Sequence, residues 1–231
     1  MRARLLLLAG VVAPVAFVAV LLIDGFTRPG YNSWRDMGSL LSTGNGGWVQ
    51  IASFIACGLL IMVAAAGLAR SHPPTSWGPR LIAMFGLSLV IAGAFTTDPA
   101  NGYPPGTPAA GGPQTWHGAI HDLNAFLAFG SITAAAFVFG RAFAGDPHTR
   151  AWARYSYLTA TASLVLFTAS LTAAAAGQDH LWHNAPGGFL QRITIIVAWG
   201  WLSLLSLRTL RSRAGGAGGH DVSQPGEPAA L

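Results

Sequence analysis

Six separate runs of about twenty mostly apolar residues, each long enough to cross the hydrocarbon core of a bilayer, constrain this chain more than any other feature. They lie at residues 5–23, 48–68, 81–96, 118–139, 155–176 and 189–207. In lipid every backbone polar group needs an internal partner, so runs of this length fold as helices. Composition points the same way: 52% of residues are hydrophobic, only 9% are charged, and the mean hydropathy is +0.47. Soluble domains carry roughly a quarter charged residues. The expectation is an all-α, polytopic protein of the cell membrane, with six transmembrane helices bundled within residues 1–213. The Gly- and Pro-rich segment 214–231 has no hydrophobic period and reads as a disordered tail.

The first run begins like a secretory signal, with Arg2 and Arg4 before a leucine stretch. Val20, Leu21, Leu22, Ile23 and Asp24 offer no small-residue cleavage site, so it reads as a retained helix. The run at 81–96 is the shortest and ends at the stop formed by Asp98 and Pro99. Six spans put both termini on one side, and arginine chooses which. Arg2, Arg4, Arg70, Arg80, Arg141, Arg150, Arg154, Arg208, Arg211 and Arg213 fall on that side, against Arg28, Arg35 and Arg192 on the other. The positive-inside rule then places both termini in the cytoplasm and segments 24–47, 97–117 and 177–188 outside. Scattered at the edges of apolar runs, the arginines form no basic stripe interleaved with aromatics, which excludes nucleic acid and leaves membrane lipids as the expected partners. The single cysteine, Cys57, lies in an apolar run and reads as inert packing.

The outer side is poor in arginine yet holds Asp24, Asp36, Asp98, Asp122 and Asp179 with His117, His121, His180 and His183. Its first two loops run to about twenty residues, a length that carries function more often than mere connection. In the first, Ser33 and Asp36 have capping-box spacing, and Trp34, Met37, Leu40 and Leu41 share a helical face. This predicts a short interfacial helix over 33–41, able to lid a pocket and to offer Trp34, Arg35 and Asp36 to a ligand. At 100° per residue His117, His121 and Asn124 share one face of the fourth span, predicted to point into the bundle, with Asp122 pointing away. Imidazoles four residues apart on a helix can grip one metal ion. His180 or His183 would add ligands for a divalent metal such as zinc, and Asp98 or Asp122 would serve as ligand or catalytic base. Arg192, just inside the last span, is expected to find a carboxylate, with Asp98, Asp122 and Asp179 as candidates.

Gly46, Gly47, Trp48, Val49 and Gln50 open the second span much as Gly187, Gly188, Phe189, Leu190 and Gln191 open the sixth. The likeness is of a length that chance supplies in a chain with 29 glycines. It does not pair inverted halves, and no discontinuous helices argue for a transporter.

Taken together, Pro29, Gly30 and Tyr31 with Arg35, Asp36, Ser39 and Leu40, then Thr97, Asp98 and Pro99, then His117, Gly118 and His121 resemble a known pattern. Across 5–207 the chain is similar to the bacterial integral-membrane proteins grouped as "domain of unknown function 998". The resemblance implies a six-helix membrane protein and supplies no activity, cofactor or catalytic residue. Two readings of function follow from the residues. One is binding of a lipid or small amphiphile in an outer-leaflet polar pocket, with Trp34, Arg35, Asp36, Asn124 and Arg192 as contacts. The other is a membrane-embedded metal-dependent hydrolase or lipid-modifying enzyme built on the histidines and aspartates.

Overall fold

A computed structural model describes residues 2–71, 73–109, 111–178, 181–182 and 184–217. Six helices are each long and apolar enough to cross a membrane. They are α1 (Arg2–Thr27), α2 (Gly47–Ala69), α3 (Trp77–Ala94), α4 (Trp116–Ala144), α5 (Arg150–Gln178) and α6 (Gly187–Ala217). Most outrun their apolar runs, because the flanking arginine-bearing turns stay helical: α6 continues through Arg208, Arg211 and Arg213 to Ala217. Helix α3 starts earlier than expected, since Pro79 sits in its first turn, where a missing N–H costs nothing. Residues 218–231 of the expected tail lie outside the described residues.

Each helix packs against the next in sequence, and α6 returns against α1, so the six close into a ring. The inward stripes follow the helical period. On α2 they are Gln50, Ser53, Phe54, Cys57, Gly58, Ile61, Ala64, Ala65 and Leu68, mostly small residues that let backbones approach without help from the hydrophobic effect. Large apolar side chains such as Leu5, Phe26, Leu123, Leu158 and Val165 stand on the outside of the ring, the surface that lipid would cover.

Every helix sends one aromatic ring into a layer across the middle. Trp199 of α6 packs edge-on against Phe85 of α3 at 4.5 Å and lies 5.7–5.8 Å from Phe17 of α1 and Phe129 of α4. Phe54 of α2 meets Phe17 at 5.3 Å, and Phe167 of α5 stacks on Phe129 at 4.2 Å. Edge-on and offset contacts add to the stabilisation from burial alone. Below this layer the core is tight: Trp201 is fully buried and donates through Nε1 to Ser156 Oγ at 3.0 Å. Above it, toward the end that carries the loops at 28–46 and 95–115, the ring is hollow.

Candidate functional site

The first long loop is not the amphipathic helix its spacing predicts. Residues 33–36 form a turn, and a 3-10 helix spans only Gly38–Ser42. Ser33 does not cap a helix: its hydroxyl donates to the Gly25 carbonyl at 3.1 Å. The Asp36 carboxylate, fully buried, turns back to accept the Asn32 N–H at 2.9 Å and pairs with Arg35 Nε at 2.8 Å. Side chain to backbone bonds of this kind compete with helix formation and here they win. Leu40 and Leu41 are thereby folded into the core, while Trp34 stays 45% exposed, stacked on Phe189 at 4.9 Å.

All three arginines at this end are spent on holding that loop. Arg28 makes a two-pronged pair with Asp24 and donates to the carbonyls of Asn45 and Gly46, tying α1 to the start of α2. Arg35 also donates to the Asn101 carbonyl at 2.8 Å, joining the two long loops. Arg192 does not meet the expected carboxylate. It donates to the carbonyls of Ser33, Asp36 and Gly188 at 2.9–3.0 Å and to the Tyr31 hydroxyl. Several carbonyl dipoles converging on one guanidinium replace a full negative charge, because the loop folds over α6 closely enough to present them. Tyr31 passes its own proton to the Asp36 and Met37 carbonyls, and burial pushes that phenol up to about 12 against the opposing field of Arg192.

That close fold needs glycine twice. A methyl group on Gly188 would stand 2.1 Å from the Asp36 carbonyl oxygen, and one on Gly47 would stand 2.4 Å from that of Ser42. The loop backbone is therefore laid directly on the first turns of α6 and α2. Three residues on from each of these glycines comes a glutamine, and both Gln50 and Gln191 line the hollow. The short likeness between the two helix starts thus has a physical cause. It was visible in the sequence, but its spacing alone did not say that a third segment lies across both.

The hollow is a cavity of about 480 Å³, within the roughly 300–1,000 Å³ typical of small-molecule sites. Its mouth is set by Asp98, Asp122, Gln114 and Gln178, its side by Met37 to Leu40, and its floor by the aromatic layer. Gln50, with no exposed surface, has neither amide atom bonded to protein. Asn124, 7% exposed, donates to the Ser88 carbonyl at 2.8 Å and leaves Oδ1 without a partner. Trp199 Nε1 is likewise unpartnered. Buried polar atoms of this kind cost about 1–3 kcal/mol each unless something supplies the missing bond.

Of the residues singled out in the sequence, the cavity brings together His121, Asn124, Asp98 and Asp122. It does not gather Trp34, Arg35, Asp36 and Arg192, which build the loop that walls it. His121 and Asn124 face inward and are buried, whereas His117 is only partly so. Asp98 sits over the start of α4, accepting from Thr115 N at 2.7 Å and Thr115 Oγ1 at 2.6 Å, so close that a methyl on Gly118 would collide with it. Desolvation works to raise its pKa, but those two bonds and the fields of His117 and His121 prevail and hold the carboxyl below its ordinary range. His117 Nδ1 lies between Thr115 Oγ1 and the Thr96 carbonyl, and His121 Nδ1 meets the Phe95 carbonyl at 2.7 Å. Only a donor can meet a carbonyl, so His121 carries a proton on Nδ1. Among the described residues no three His, Cys, Asp or Glu side chains group as a metal site requires. His180, His183 and Asp179 lie outside the described residues.

A ring of six membrane-length helices around an amphiphilic chamber defines an integral membrane protein. The family model described as "Protein of unknown function (DUF998)" matches residues 11–208, and the chain belongs to that family. No curated protein and no solved structure matches it.

Proposed function

We propose that this protein binds a lipid or small amphiphile in the cavity above the aromatic layer, entered from the extracytoplasmic face, with both termini in the cytoplasm of the cell that carries it. One observation carries the reading. A cavity of about 480 Å³ inside the helix ring combines a floor of Phe54, Phe129, Phe167 and Trp199 with amide atoms of Gln50 and Asn124 that have no partner in the protein. An apolar body and a polar group on one molecule would satisfy both parts. The orientation rests on the arginine asymmetry, and a reporter fused after Arg213 should be active only in the cytoplasm.

The binding test uses the full chain in phosphatidylcholine nanodiscs and bromine-labelled dodecanol, whose bromine quenches tryptophan on contact. A saturable component of quenching is expected from Trp199, above the linear background from lipid-facing tryptophans. It should vanish in Trp199→Phe and in Ala128→Phe, which fills the cavity. Linear quenching alone, identical in all three proteins, would refute the reading.

A further inference from the structure

The carboxylates that line the cavity face no arginine among the described residues, and that charge selects the head group. Asn124 has its NH₂ committed to Ser88, so it offers the cavity an acceptor oxygen. His121 has its Nδ1 proton committed to the Phe95 carbonyl, so that proton is not offered to the cavity. Asp98 and Asp122 add two carboxylates at the mouth. The donors that face these are neutral: Gln50 Nε2 and Trp199 Nε1, both without a partner, and the amide of Gln191, whose oxygen alone is bonded, to Gly38 N–H. No arginine lines the cavity among the described residues, and the chain's thirteen basic residues are all arginine. The three arginines at this end are held by Asp24, Asp36 and loop carbonyls, pinned by the fold itself.

We propose that the occupant is an amphiphile with a protonated amine head, its N–H donors directed to the Asn124 oxygen and the two mouth carboxylates while its chain lies on the aromatic floor. This rests on the cavity being the binding site, as proposed above. A phosphate or carboxylate head would bring a negative charge to the two carboxylates, with no arginine to offset its desolvation. An ammonium is a pure donor and carries the charge opposite to that of the mouth.

Three bromine-labelled probes of equal chain length separate the possibilities: dodecylamine, dodecanol and dodecyl phosphate, titrated at neutral pH into phosphatidylcholine nanodiscs holding the full chain, each corrected for its bilayer partition. The amine should saturate the Trp199 component at the lowest concentration, the alcohol should follow, and the phosphate should show no saturable quenching. Asp122→Asn is the informative variant. Asp122 is exposed and bonds only the Gln114 side chain at 3.0 Å, so the fold does not depend on it. The substitution should reduce the amine's advantage over the alcohol by about fivefold. Phosphate binding as tightly as the amine, an amine no better than the alcohol, or an unchanged ratio in Asp122→Asn would overturn the proposal. In each of those cases saturable alcohol binding keeps the cavity reading intact, whereas failure of all three probes to saturate overturns both.

Discussion

In the loop at 28–46 each arginine guanidinium ends on oxygen, whereas in the cavity beside it the amides of Gln50 and Asn124 keep atoms that meet nothing in the protein. Both regions are polar, and both lie at the same end of the ring. The difference is that the loop's charged groups are engaged through most of their donors, while deep in the cavity neutral amide atoms are left open. Charge buried in this fold serves construction. The open neutral groups carry a cost to stability with no structural return, which is the usual mark of a site kept for a ligand.

The comparison breaks most readily at Arg192. Replacing it with Met keeps most of its volume but leaves the carbonyls of Ser33, Asp36 and Gly188 and the Tyr31 hydroxyl without their shared donor. A loss of about 3–5 kcal/mol is expected, as for removing one partner from a buried charged network. Thermal unfolding in a single detergent would measure it. If the Arg192→Met protein melts like the parent, the loop is not held as described. Gly188→Ala should come next, at about 1–3 kcal/mol, because its methyl meets backbone at Asp36, which cannot swing aside as a side chain could. Gly187→Ala, whose methyl would sit at 3.1 Å from Ala174, is the milder control.

Gln50→Leu should move stability the other way. Its amide atoms bond no protein group, so an apolar replacement of similar size removes a desolvation penalty and raises the melting temperature by the equivalent of about 1 kcal/mol. The same change should weaken saturable probe binding. A variant that is less stable would mean that Gln50 holds the fold together and does not wait for a ligand.

The helices were legible because bilayer length acts on composition, which a single sequence displays. The inward stripe of His121 and Asn124 was legible for a related reason, since helical geometry fixes which residues share a face. The loop was not. Ser33 and Asp36 have capping-box spacing, yet Asp36 is claimed by Asn32 and Arg35, and Arg192 arrives from a helix more than 150 residues away in sequence. No local pattern shows that three carbonyls will converge on one guanidinium. Gln50 and Gln191 were visible as a repeat, but their meaning depends on the loop that crosses both helices, and the aromatic layer needs six helices placed before Phe85 and Trp199 can be seen to touch.

The smallest effect is expected at Tyr31, where at neutral pH nothing changes. Its hydroxyl donates to the Asp36 and Met37 carbonyls, so the protonated form is the one the loop requires, and burial holds its pKa up to about 12 against an ordinary 10.0. A folded-state pKa above the unfolded value means that the unfolded chain loses its proton first. The contribution is therefore complete below pH 10 and drains away between 10 and about 12. Ultraviolet titration of tyrosinate should include a component near 12 from Tyr31, and Tyr31→Phe should remove it. The alkaline melting curves should diverge accordingly, with the parent losing stability above pH 10 faster than Tyr31→Phe, which has no proton there to lose. If Tyr31 titrates near 10, the hydroxyl is open to solvent, and the contrast between a sealed loop and an open cavity fails at the residue where the two regions adjoin.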